Sequence, residues 1–320
     1  MSLGKTSGTN QPAIAAVFAT QNRAATALAC VHSLAAQTHP PVRVVVADND
    51  SEDDTATALE ALCGLPFELE VLRLHRNQGN AGGVHEAMVR AFELGADAVW
   101  ILDDDSWPRP RALEAMLAKP WDPRMVRHPL QIDPHTGRFT WPLQVADIDG
   151  GWRLANTPEQ LPCGDFIRSR IMWTGALVPR EVWEATGPVM VELFIRGEDE
   201  EYPWRIEQAG FRQEAVRAAF MDHPGPQDLV HWRLLGKHFF LERGLADWKL
   251  YYKVRNMVWL KRRQRGLAKA LGTALAYALA VGHTDGIQRL ALVWEATRDG
   301  LAGRLGKWRR HPTGAKSTSR

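Results

Sequence analysis

Residues 14–105 repeat one pattern, and it is the feature that most narrows the folds open to this chain. A short apolar run ends in polar residues, and an amphipathic segment follows. Ile14–Thr20, Val42–Ala47, Leu69–Leu74 and Ala98–Leu102 are such runs; their length and apolar character predict strands buried on both faces. Between them, Ala24–Ala36 and Asp54–Leu62 read as helices. So does the segment holding Val84, Ala87, Met88, Ala91 and Phe92, spaced i, i+3, i+4 and stopped by Gly95. Strands alternating with helices predict an α/β fold with a mostly parallel, Rossmann-like central sheet flanked by helices. In such sheets ligands gather at the carboxyl ends of the strands. Thr20, Asp48 and Asp103 all stand at such ends, so three separate stretches converge on one rim.

Past Pro108 the pattern loosens. Residues 120–165 mix Pro, Gly and Trp with short alternating runs such as Arg138–Val145, which predicts hairpins and loops. Ile171–Pro179 reads as a strand entering a helix, Glu200–Gln208 as a helix ended by Gly210, and Ala215–Phe220 as a short strand. From Asp247 onward the chain reads as helical and basic. We expect a flexible tail at 1–10, a main domain at 11–245 with halves at 11–110 and 111–245, and a basic helical extension at 246–320.

Hydrophobic residues make up 45% of the 320, enough for a sizeable core. A formal net charge of +2 argues against nucleic acid as a partner. Three dispersed cysteines, Cys30, Cys63 and Cys163, exclude a disulfide framework and a thiolate zinc site, and fit a reducing, cytoplasmic compartment. No run reaches the roughly 20 apolar residues that span a bilayer. Leu267–Val281 has two readings: a packed helix, or a helix lying on the inner face of the cell membrane beside the basic cluster Lys261–Arg265.

Asp103, Asp104 and Asp105 follow directly on an apolar strand. Adjacent carboxylates repel by roughly a kcal/mol per close pair even in water, and a hard divalent cation relieves this while keeping a phosphate in its shell. On extended backbone the first and third carboxylates point the same way, so Asp103 and Asp105 can share an ion while Asp104 faces elsewhere. A solvated acidic turn is the plainer alternative. Asn77-Gln78-Gly79-Asn80-Ala81-Gly82-Gly83 precedes a helix; it suits either close approach of an anion or a tight turn. Asp48-Asn49-Asp50-Ser51 suits either a nucleoside edge or a helix N-cap. Gly197-Glu198-Asp199-Glu200-Glu201 places four acids at a helix start, where the dipole favours them; one of them could also serve as a general base. His223, in Met221-Asp222-His223-Pro224, is a ligand or a structural histidine.

Taken in order, these residues resemble the family 2 glycosyltransferases of the GT-A fold. The carriers are Thr20-x-Asn22-Arg23, Asp48-Asn49, the Asn77–Gly83 segment, the Asp103–Asp105 triple, Trp173-Thr174-Gly175, Glu198-Asp199 and His223, from about Ala13 to Asn256. Phe194-Ile195-Arg196-Gly197-Glu198-Asp199 and the three-Asp motif look most like bacterial galactofuranosyltransferases and rhamnosyltransferases. One departure is His85, where many relatives carry asparagine.

The resemblance implies a GT-A catalytic domain at 11–245, its first half binding nucleotide and its second half the acceptor. Thr20, Arg23, Asp48, Asn49, Asn77, Gly79, Asn80, Asp103, Asp104 and Arg255 would bind a UDP- or dTDP-sugar. Asp103, Asp105 and His223 would hold Mg²⁺ or Mn²⁺. Trp173, Thr174 and Gly175 would meet a glycan or lipid-linked acceptor. Asp199, with Glu198 as the fallback, would deprotonate the acceptor hydroxyl, giving inversion. A nucleotidyltransferase and a non-catalytic carbohydrate-binding protein are the alternatives. The first lacks its basic glycine-rich signature in Ala19-Thr20-Gln21-Asn22-Arg23. The second has thirteen tryptophans in its favour but no need for Asp199.

Overall fold

A computed structural model describes residues 11–147, 149–170, 173–225, 229–234 and 237–312. The expected tail at 1–10 and the first two residues of Ile171–Pro179 lie outside these. In chain order the elements are β1 (Ile14–Thr20), α1 (Ala24–Ala35), β2 (Arg43–Asp48), α2 (Thr55–Glu60), β3 (Glu68–Arg73), α3 (Gly79–Glu93) and β4 (Ala98–Ile101). There follow β5 (Trp107–Pro108), α4 (Ala112–Leu117), β6 (Met125–Ile132), β7 (Leu143–Ala146), β8 (Trp152–Ala155), β9 (Phe166–Arg168), β10 (Leu177–Pro179) and α5 (Arg180–Thr186). Last come α6 (Glu198–Gln208), β11 (Arg212–Asp222), β12 (Leu229–Leu234), β13 (Lys237–Glu242), α7 (Asp247–Thr284) and α8 (Leu290–Ala302).

The central sheet has nine strands, in the order β3-β2-β1-β4-β10-β6-β11-β5, with β9 beside β11. β3, β2, β1 and β4 are mutually parallel, as the repeated pattern predicts. β10 runs antiparallel between β4 and β6, and β11 is parallel to β6. Thr20 pairs with Asp48 in the β1–β2 register, and Leu102 donates to the Val17 carbonyl. The polar ends of these strands therefore reach the rim together.

The strands alternate between two cores, as period-two side chains must. Ala15, Val17, Val99 and Ile101 enter one cluster with α3 and α6; Ile14, Phe18, Trp100 and Leu102 enter the other with α1 and α4. α7 is fastened to the main core rather than trailing from it: Trp259 and Leu260 belong to the first cluster. Further along, α7 and α8 build a third cluster that takes in Phe194 and Leu241.

Two elements depart from the reading of the sequence. Among the described residues, the strand expected over Ile171–Pro179 is confined to Leu177–Pro179. α3 begins at Gly79, so Gly79–Gly83 form its first turns rather than a loop ahead of it. The glycine at 79 serves the protein's own packing. Its φ is +73°, and a β-carbon there would stand 2.0 Å from the Phe194 carbonyl oxygen. Two residues on, the Ala81 amide donates to that same carbonyl at 3.0 Å.

Candidate active site

The carboxyl ends of the strands open into one cleft of about 860 Å³. The acidic triple, the glycine turn, the start of α6, His223 and one side of α7 all line it.

The acidic triple divides its labour. Asp103, Asp105 and His223 bring one ligand atom each to within 4.8 Å of one another. His223 Nε2 lies 3.7 Å from Asp103 and 3.6 Å from Asp105. Two carboxylates and an imidazole form a donor set that suits Mg²⁺ or Mn²⁺. Thr174 donates to Asp103 Oδ2 at 2.5 Å, which orients that carboxylate. Burial opposes the charge on Asp103, but the hydrogen bond and charge of His223, the Thr174 hydroxyl and Arg23 outweigh it and lower its pKa. Burial likewise disfavours the charged imidazole, yet Asp103 and Asp105 raise the pKa of His223.

Asp104 turns away from this cluster into the protein. It accepts from Thr20 at 2.8 Å and from Arg23 at 2.6 Å. Burial pushes its pKa up to about 7, with Asp105 and Asp103 adding to the effect against Arg23 and Thr20. Arg23 also reaches Asp105 at 3.1 Å. Thr20 and Arg23 thus hold the triple in shape from below.

The glycine turn is secured by Asn49. Its side-chain amide accepts from the Gln78 backbone N–H at 2.8 Å and donates to the Gly79 carbonyl at 2.9 Å. Asn77 accepts from the Gly79 N–H and donates to Gln21 at 2.9 Å. Asn80, expected on the donor side, instead donates to Glu198 Oε1 at 3.2 Å. His85 bonds the Val189 carbonyl at 2.8 Å.

The second acidic cluster opens α6. Phe194, Arg196 and Gly197 take φ of +66°, +62° and +110°, and the turn they make starts the helix. A β-carbon at Gly197 would lie 2.9 Å from Asn256 Cβ, so only glycine fits there. Asp199 Oδ1 accepts from the Gly197 amide at 2.9 Å. Glu198 is 4% exposed, and its Oε2 is buried with no hydrogen-bond partner. Burial and the neighbouring Asp199 push its pKa up to about 7. Asp199 itself is exposed to the open cleft; partial desolvation there, with Glu200 beside it, raises its pKa. Behind them Arg196 holds Glu242 in a two-point pair at 2.7 and 2.8 Å, and Lys253 adds a third contact at 3.0 Å. Burial alone would raise the pKa of Glu242; Arg196 and Lys253 hold it down at about 2.

Three expected site residues do not line the cleft itself. Arg255 does not reach the cleft: it is 1% exposed, and its guanidinium binds Asn256 and the carbonyls of Gly306 and Leu193. Gly175 lies behind the lining, its amide donating to Ile101 and its carbonyl accepting from Trp100. Asp48 is buried at the end of β2, with Oδ1 unpartnered. Trp173 does line the cleft, edge-on to Tyr202 with ring centroids 5.8 Å apart. The reading of the sequence passed over Gln131, Trp141, Trp248 and Lys253 and gave Arg196 no role beyond its place in a motif; all five line it. Gln131 had a usable signal, since it nears the carboxyl end of β6; the others come from turns and from α7.

A family model described as glycosyl transferase family 2 matches residues 16–163. Galactofuranosyltransferase GlfT1 of Mycolicibacterium smegmatis is 26% identical over 273 residues, 82% of this chain and 87% of the relative. Residues 16–163 carry a family 2 glycosyltransferase domain, and the chain is a glycosyltransferase. The transferase is also similar to galactofuranosyltransferase GlfT1 of Mycobacterium tuberculosis, 31% identical over 201 residues, which span 61% of this chain and 64% of that relative. Among solved structures it resembles GalNAc-T7 with UDP, GalNAc and Mn²⁺ (TM-score 0.55, 18% identity), covering 92% of this chain and 58% of that one. The mannosyltransferase PcManGT from Pyrobaculum calidifontis, in complex with GDP-Man and Mn²⁺, gives a TM-score of 0.54 at 17% identity, covering 92% and 89%. At these identities the structures establish the GT-A fold. The family sets aside the nucleotidyltransferase and the non-catalytic binding protein.

Proposed function

We propose that the enzyme transfers galactofuranose, with rhamnose as the second candidate, from a UDP- or dTDP-sugar to a glycan or lipid-linked glycan. The reaction is metal-dependent and inverts the anomeric centre. The observation that carries this reading is one cleft lined by two acidic clusters of opposite character: Asp103, Asp105 and His223 converge as ligands, and Glu198 and Asp199 open α6. The similarity to GlfT1 supports the sugar.

Asp48 is assigned to the nucleoside, supported by a buried acceptor oxygen that lacks a donor. Thr20 and Arg23 keep Asp104 fixed at the floor of the donor side. Asp103, Asp105 and His223 would hold Mg²⁺ or Mn²⁺, which neutralises the charge of the departing diphosphate. Asp199 takes the proton of the acceptor hydroxyl, and Glu200 beside it raises its proton affinity. Trp173 and Trp141 supply flat faces for the acceptor. All three cysteines are unpaired, in keeping with a cytoplasmic setting.

The test is transfer from UDP-galactofuranose with added Mn²⁺, comparing wild type with Asp105→Ala. We expect free nucleoside diphosphate as product and a loss of metal-dependent turnover in the variant. Unchanged Mn²⁺ dependence in Asp105→Ala would remove the metal assignment; pyrophosphate as product would remove sugar transfer.

A further inference from the structure

Beyond Gly266, where φ is +80° and the helix is broken, α7 shows three faces. Lys269, Thr273, Ala276 and Ala280 line the cleft. Ala270, Ala274 and Val281 are buried in the cluster shared with α8. Leu267, Leu271, Leu275 and Leu279 are 56%, 48%, 60% and 47% exposed. A spacing of four sets these leucines in one stripe along the helix. At about 100° per residue, the stripe is centred roughly 150° around the helix from the cleft-lining residues. This half of α7 is therefore a wall, with the cleft on one side and leucines on the other. Ile287, between α7 and α8, and Trp294 of α8 are also 77% and 70% exposed. A row of exposed leucines of this kind marks an interaction site.

Charge identifies the partner. Residues 246–320 hold sixteen Lys and Arg against four Asp and Glu, a balance of +12, whereas residues 1–245 balance at −10. Arg262, Arg263 and Arg265, immediately before the stripe, are exposed. Two copies meeting through this region would bring like charges together. An anionic lipid surface accepts both features, the leucines at the acyl boundary and the arginines among the headgroups. No helix among the described residues is long and apolar enough to cross a membrane, so the contact is one of lying on the surface.

We propose that the outer leucine stripe of α7, Leu267, Leu271, Leu275 and Leu279, together with the exposed Arg262, Arg263 and Arg265 ahead of the break at Gly266, seats the enzyme on an anionic bilayer. The cleft then lies about one helix diameter, 10–12 Å, from the lipid. That distance suits an acceptor whose sugar stands on a lipid-held head group, a consequence that rests on the transferase reading; the docking itself does not.

The test is flotation of the full chain with vesicles of equimolar phosphatidylcholine and phosphatidylglycerol, and with vesicles of phosphatidylcholine alone. We expect flotation with the anionic vesicles only, and an at least tenfold weaker partition for the double variant Leu271→Asp, Leu275→Asp. Those two side chains point away from the cleft, so donor hydrolysis in solution stays at the wild-type rate and reports that the variant is folded. Asp105→Ala still floats, which separates failure of docking from failure of the catalytic assignment. Wild type remaining unbound, the double variant floating like wild type, or light scattering showing a dimer that the double substitution dissociates would each overturn the proposal.

Discussion

The two acidic clusters of the cleft share a sign and a location but not a manner of neutralisation. Asp103 and Asp105 stand partly exposed and are met by Thr174, Arg23 and His223. Glu198 is buried and Asp199 is exposed; they are met mainly by one amide side chain and one backbone N–H, and one Glu198 oxygen has no partner. Surroundings that favour the anion suit carboxylates that must stay charged beside a cation. Surroundings that penalise the anion suit a group that takes up a proton near neutrality. Asp104 belongs to the first cluster in sequence and to the second in physics. It is buried, its pKa lies at about 7, and it is the one member of the triple that does not face His223.

The sharpest way to break this comparison is to neutralise the proposed base. Asp199→Asn should lower the transfer rate by roughly 10²–10⁴-fold while nucleotide and Mn²⁺ still raise the melting temperature; retention of activity there, with loss in Glu198→Gln, would exchange the two roles. Next in size is the cost of burying the Glu198 charge. Its pKa is raised from 4.5 to about 7, so the folded state holds a proton that the unfolded chain has released between those values. Its contribution to stability therefore falls as pH rises from about 4.5 to about 7, and Glu198→Gln escapes that fall. The variant should gain on wild type by on the order of 3 kcal/mol across this window. Urea melts at pH 4.5 and pH 8 measure it, and a difference that does not change with pH would count against the contrast between the clusters.

Arg23→Ala should cost about 2 kcal/mol, between the values for exposed and buried pairs, because Asp104 loses its cation while staying buried. Thermal melts would show it; a neutral outcome would mean that Thr20 alone suffices. The smallest effect is expected at the rim. Lys261 pairs with Glu200 at 2.5 Å, where Glu200 is 46% exposed, and Lys261→Ala should change stability by less than about 0.5 kcal/mol.

Much of the donor side is legible in the sequence, because strand ends and sheet register are local consequences of an apolar run. Thr20, Asp48 and Asp103 reach the rim for that reason. Asp103 and Asp105 share a side because alternate residues on extended backbone do; His223 is legible only through the family resemblance, being far away in sequence. Long-range backbone approach leaves no such local mark. Nothing near Arg255 tells that its guanidinium caps carbonyls 51 and 62 residues away. Nothing near Gly79 tells that the Phe194 carbonyl presses against it. The strand read over Ile171–Pro179 is the three-residue β10, and its antiparallel insertion into the middle of the sheet is set by distant partners that leave no local mark.

The turn at Phe194–Gly197 is held from two directions. The Ala81 amide of α3 grips the Phe194 carbonyl, and the Asn256 side-chain amide of α7 grips the carbonyls of Leu193, Ile195 and Arg196. α3, the start of α6 and the C-terminal helices thus meet in a single knot. A chain cut after Leu245 would lose not an accessory but one hand of that grip, and α6 would start from a turn free to relax out of its left-handed conformation. On heating, the helical extension and the turn at Phe194–Gly197 should therefore give way together, in one transition rather than two.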